Sequence, residues 1–236
     1  MKRKLKTVTQ RLEKADKLLA AMKAVAEAVC DCLAGSLCVA LTGGETAPDL
    51  RVLLALLERR VTALARRLKV CQEILSDWQQ CERYSAEARD TAAASVRQKL
   101  ILLRSLATHA FGEPGTELMG LAGGTPREHK RLLEAAKTVA ARLRDPDLAL
   151  PVVATPCLEI NFGYVTEELE TDLIHLEESL DERARAGAQA QTAQTARWRA
   201  EHEFDRVVAA TSDLVASLCT LAGRCELADQ IRRAAK

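Results

Sequence analysis

Between Leu5 and Leu33 apolar residues return alternately every three and four positions: Leu5, Val8, Leu12, Ala15, Leu19, Met22, Ala26, Val29 and Leu33. A stripe kept for about four heptads predicts an amphipathic helix with a coiled-coil seam. It ends at Gly43 and Gly44. Thr46 is placed to cap the next helix, with Pro48 in its first turn.

The second pattern starts there and meets no breaker until Phe111. Leu50, Leu54, Leu57, Val61, Leu64, Leu68, Cys71, Leu75 and Trp78 continue the seam. "SAEARDTAAAS" follows, short-chained and alanine-rich, and "LILLRSLATHAF" closes on leucine again. A helix over 48–111 is about 90 Å long at 1.5 Å per residue. An interruption near Arg83–Thr91 is left open, although no Gly or Pro marks one.

Residues 112–125 carry two glycine clusters and are expected to be an irregular connection. Thr125-Pro126-Arg127-Glu128 then opens a shorter helix over about 126–144, with Thr125 as N-cap and Glu128 completing a capping box. Pro146, Pro151 and Pro156 make 145–164 irregular or extended, with room for a short strand pair. A last long helix is expected over 166–222. Leu169, Leu173, Leu176 and Leu180 form its opening stripe, and Phe204, Val208, Val215 and Leu218 its closing one, with "ARAGAQAQTAQTA" between. Gly223 ends it, and "CELADQIRRAAK" is left as a tail.

Two long helices, each leucine-rich at the ends and alanine-rich in the middle, predict an antiparallel pair, with the other two helices laid along its halves. The expected fold is all-α: a single domain over 1–236, built as an elongated antiparallel helical bundle or coiled coil. If Phe111 faces Val165, Ala86–Thr91 lies against Arg185–Ala190, and Trp78 stands level with Trp198. The first and last helices then run parallel, with Cys32 level with Cys219 and Cys38 with Cys225. That gives "CLAGSLC" and "CTLAGRC" a shared structural role as matched contacts at one end.

Composition sharpens this. Of 236 residues 48% are hydrophobic, 28% charged and only 3% aromatic, at a net charge of +1, which suits a folded, helix-rich chain. The basic first residues have no apolar segment behind them, and no apolar run approaches the ~20 residues a membrane helix needs. A cytoplasmic address with its eight cysteines reduced is therefore expected.

Charge is segregated. Glu159–Glu182 contains nine acidic residues and no Lys or Arg, whereas the third helix offers Arg127, Lys130, Arg131, Lys137, Arg142 and Arg144, which suggests that the two pair. Lys2, Arg3, Lys4, Lys6, Arg11, Lys14 and Lys17 make the first helix basic. Arg59, Arg60, Arg66, Arg67 and Lys69 do the same for the second.

Candidate chemistry is thin. A dimetal bundle site needs two Glu-x-x-His pairs, and the nearest match is Asp172-Leu-Ile-His175, once; His202 has no acid three residues earlier. "MGLAGGTPREHKR" joins glycines to a helix start beside Arg127, Lys130 and Arg131, an anion-site pattern without the Gly-Lys-Ser/Thr ending of a P-loop. Cys-x5-Cys turns roughly 240° on a helix, so neither cysteine heptapeptide gives two ligands to one zinc. No catalytic residue, metal ligand or cofactor is assigned. The expected function is a non-enzymatic scaffold or protein-interaction protein within a larger assembly, its partner unidentified and self-association left open. The alternative is an anion- or nucleic-acid-binding protein using residues 2–17 and 59–69, with Arg59, Arg60, Arg66, Arg67 and Lys69 as contacts.

Overall fold

The computed structural model describes residues 7–40, 49–151 and 162–234, with side chains outside 34–40 and Phe162. Among them are five helices and no strand: α1 (Val8–Ala40), α2 (Leu50–Leu118), α3 (His129–Leu143), α4 (Phe162–Leu221) and α5 (Cys225–Ala234). The fold is an all-α helical bundle, and α2 and α4 pack together along it. Gly43, Gly44, Thr46, Pro48 and the strand-pair segment lie outside the described residues, as does Cys157.

The chain divides into two compact units. One joins Met1–Asp77 to Gln191–Lys236; the other is Trp78–Ala190. The first unit contains α1, the beginning of α2, the end of α4, and α5. Its core gathers Leu18, Met22, Val25 and Val29 from α1, Val61, Leu64 and Leu68 from α2, Phe204, Val208 and Val215 from α4, and Ile231 from α5. The second unit packs the remainder of α2 and of α4 with α3, around Val96, Leu100, Leu103, Leu132, Val139, Leu169 and Leu176.

The seam of α1 holds at Ala15, Met22, Val29 and Leu33, but Arg11, Leu18 and Val25 are buried where Leu12, Leu19 and Ala26 were expected. A strict heptad stripe serves one partner helix. Here α1 also packs on α5, which turns its buried face by a residue. The terminal segment read as a tail is thus helical. Ala228 and Ile231 are its buried positions, with Glu226 in its first turn and Arg232 and Arg233 in its last, the charge order that suits a helix dipole.

α2 stays helical through residues 83–91 and does not stop at Phe111. Its backbone leaves helical geometry at Gly112 (φ 67°, ψ −168°), and the helix then resumes to Leu118 with Pro114 in its first turn. Residues 112–118 are therefore a kink and a further turn of helix, where an irregular connection was expected. A Cβ at Gly115 would stand 2.2 Å from that of Phe111, so only glycine lets the resumed turn fold back here.

The N-terminus of α3 also differs. Glu128 is the N-cap, in extended conformation and without a side-chain capping bond. Arg97 Nη2 donates to the Arg127 carbonyl at 3.3 Å, and Pro126 disfavours helical geometry at Thr125, so 125–128 stay outside the helix.

Within the second unit α2 and α4 are antiparallel, as expected, but in a different register. Ser95 meets Asp172 rather than Asp181, and Glu82 meets Arg183 rather than Gln194, a slip of about three turns. The helix ends differ as well: α2 runs seven residues past Phe111, and α4 begins at Phe162 rather than Thr166.

Candidate interaction surfaces

In the first unit, α1 runs parallel to α4, and Arg11 fixes the pair. Its guanidinium donates to Asp205 through Nε (3.1 Å) and Nη2 (2.9 Å), and its Nη1 lies 3.5 Å from Glu201. The matched-cysteine register would have set Trp198 there. Arg11 and Glu201 are both more than nine-tenths buried. The hydrogen bonds to Asp205 outweigh the desolvation and raise the Arg11 pKa further above its ordinary value. Arg197 extends the network, with Nε 3.2 Å from Glu201 and Nη1 donating to Gln72 at 3.1 Å.

These contacts place the cysteines. Cys32 is exposed, with Sγ 3.9 Å from the Ala222 carbonyl, nearly a turn beyond Cys219. Cys219 is fully buried, and Cys225 is exposed at the start of α5. Burial pushes the Cys30 and Cys219 thiols up. The Cys38 side chain lies outside the described residues. Trp198 lines a groove with Lys69, Gln72 and Glu201, about two turns before the level of Trp78 expected for it. Its ring meets that of His202 edge-on at 4.4 Å.

The five basic residues of α2 are exposed but not equivalent. Arg60 and Arg67 both hold Glu203, at 3.1 and 2.8 Å, while Lys69 is 3.9 Å from Glu73. Arg59 and Arg66 have no carboxylate partner among the described residues. Of the N-terminal basic group, Lys2, Arg3, Lys4 and Lys6 lie outside the described residues, and Arg11 is internal.

Arg59 and Arg66 belong to a second stripe on α2, diametrically opposite the buried one. Val52, Leu56, Arg59, Ala63, Arg66, Val70 and Ile74 follow at three- and four-residue steps, all exposed. The apolar members Val52, Leu56, Val70 and Ile74 are each 45–55% exposed. Sequence reading followed one seam and took the arginines as a basic patch. The legible signal was Leu56, Ala63 and Val70 at heptad spacing.

In the second unit the expected pairing of α3 with acidic α4 is partial. Lys137 meets Glu177 at 2.9 Å, and Arg144 binds Glu170. Lys99 of α2 takes Asp172 and the Glu168 carbonyl, both at 3.0 Å. Arg142 instead donates to the Glu117 and Leu118 carbonyls. Arg131 turns to Glu128 at 3.0 Å. Of the basic residues expected beside the glycine loop, Arg131 is thus held by a carboxylate, while Arg127 and Lys130 are exposed with no carboxylate partner among the described residues. His129 Nε2 lies 3.2 Å from Asp90, whose pKa is lowered chiefly by hydrogen bonds from Arg89.

Asp172 accepts from Ser95 at 2.6 Å, while His175 points away to the exposed side near Glu178. Among the described residues no three His, Cys, Asp or Glu side chains are gathered to hold a metal, and no helix is long and apolar enough to cross a membrane. No family model, curated protein or solved structure matches the chain.

Proposed function

We propose that the protein is a non-enzymatic, cytoplasmic helical interaction protein that docks its partner on the outward stripe of α2 in the first unit. The observation that carries this is the repeat Val52, Leu56, Ala63, Val70 and Ile74, laid along one line of a rigid helix and interrupted only by two arginines without partners. Scattered apolar residues on a surface are ordinary; an aligned row matches the anchor spacing of helix recognition. A photo-crosslinking amino acid at Val70, installed in the native host, should give discrete adducts. The same probe at Lys17, on α1, should not. Equal or absent labelling at both positions would overturn the reading.

The alternative is anion or nucleic-acid binding. Arg59 and Arg66 favour it, being free of carboxylates. Arg60 and Arg67 weigh against it, since both are held by Glu203, whose one charge offsets half of theirs. Mobility shift at two salt concentrations tests it: binding that weakens with salt and is lost in Arg59→Gln/Arg66→Gln supports this alternative.

A further inference from the structure

Resting on the reading of α2 as a docking face, we infer that its occupant is a second copy of this chain, presenting the acidic outer face of α4 from the second unit. That face is described by Glu167, Thr171, Ile174, Glu178 and Asp181, all exposed and spaced three or four residues apart. It lies away from the buried stripe Leu169, Leu173 and Leu176. Glu167 and Asp181 have no cationic partner among the described residues. Among the described residues the one ion pair of Glu178 is with His175, at 3.9 Å.

The two faces are complementary in shape and charge. On α2 the small Ala63 sits between Arg59 and Arg66. On α4 the protruding Ile174, 57% exposed, sits between Glu167 and Asp181. An antiparallel alignment that seats Ile174 over Ala63 puts Arg59 level with Glu178 and brings Arg66 within one turn of Glu167. Leu56 then stands level with Asp181 and Val70 with Glu167, so these carboxylates stay at the wet rim, within a turn of Arg59 and Arg66 respectively. Unpaired charges on both sides steer the copies together and reject like faces. The acidic run beyond what α3 and Lys99 neutralise thereby acquires a use, as do the two arginines that Glu203 leaves alone.

The joined surfaces differ, so the contact is heterologous. Each copy offers one face of each kind, and association continues beyond a pair unless it closes into a ring. One helix against another over about 25–30 Å buries less than a standard interface, so the association is weak and salt-sensitive.

Sedimentation velocity on the full chain tests this. In about 0.05 M salt the weight-average sedimentation coefficient should rise with concentration up to about 100 μM, and in about 0.5 M salt the rise should disappear. Arg59→Glu/Arg66→Glu and Glu178→Lys/Asp181→Lys should each abolish association while keeping wild-type helicity by circular dichroism. Mixed together, the two variants should associate again, because the reversed faces complement each other. A wild type that stays monomeric at low salt, variants that associate unchanged, or a mixture that does not recover would each overturn the proposal. The Val70 crosslink separates the two levels. If wild type is monomeric while Val70 captures a different protein, the second copy is wrong and the docking face stands. If neither occurs, both are wrong.

Discussion

In the first unit a charged side chain, Arg11, lies inside the core beside Glu201, whereas the buried polar side chains of the second unit are hydroxyls: Thr116, Thr166 and Ser179. The difference is one of constraint. Thr116 and Ser179 donate to carbonyls three residues earlier in their own helices, so they ask nothing of a neighbour. Arg11 on α1 is held by carboxylates of α4 at one axial position. A buried ion pair adds little net stability over an apolar replacement, but breaking it leaves a charge stranded. The first unit's register is therefore held by electrostatics, and the second unit's by apolar packing with half-buried ions at the rim.

The largest expected effect tests the packing common to both. Phe204→Ala should cost about 4 kcal/mol and Leu176→Ala about 3 kcal/mol, each leaving a cavity. Hydrogen exchange should lose protection within the first unit for Phe204→Ala and within the second for Leu176→Ala; uniform loss in either variant would erase the distinction between the units.

Removal of charge comes next. Arg11→Met should cost about 2 kcal/mol, because buried Glu201 keeps only the half-buried Arg197 among the described residues, and adding Glu201→Gln and Asp205→Asn should recover most of it. Lys99→Met in the second unit should cost under about 1 kcal/mol, because its partners keep access to water. Urea denaturation measures both, and equal costs would refute the contrast.

Thiol reactivity sharpens it further. The thiols of Cys30 and Cys219 are buried, which raises their pKa, whereas Cys32, Cys81 and Cys225 are open to reagent. Alkylation followed by peptide mapping should find the buried pair at least about tenfold slower. Labelling of Cys219 as fast as Cys225 would contradict the packing of α4.

The smallest effect belongs to Asp90. Its folded pKa is lowered, chiefly by Arg89, so it contributes stability above the ordinary carboxylate value of about 3.9, and that contribution fades as pH falls through the lowered value. Asp90 is well exposed, and screening limits the contribution to about 0.5 kcal/mol. Asp90→Asn should therefore flatten slightly the acid limb of the stability profile; an unchanged limb would show that Asp90 is not coupled to folding.

How much was legible follows from what each signal measures. Periodicity found α1, α2, α3 and α4, because stripes such as Leu50, Leu54, Val61, Leu64 and Leu68 report one buried face directly. It missed α5, whose ten residues bury only Ala228 and Ile231, with Leu227 packed at the edge of the core. Register was not legible, since α4 slides along α2 without changing either stripe. The arginines of α2 were found as a group. Their division into pairs held by Glu203 and residues left alone depends on which α4 residue lies opposite, a fact of register again.

The first unit is assembled from two stretches of chain, with all of Trp78–Ala190 between them. During synthesis Leu54, Leu64 and Leu68 emerge long before Phe204 and Val208 exist to cover them. The second unit, continuous in sequence, is complete by then. Closing a loop of that length adds only logarithmically to the entropic cost, but it delays the first unit's contacts and slows the search for them. The second unit should accordingly fold first; pulsed hydrogen exchange should protect the amides around Val96 and Leu176 before those around Phe204, and the reverse order would contradict it.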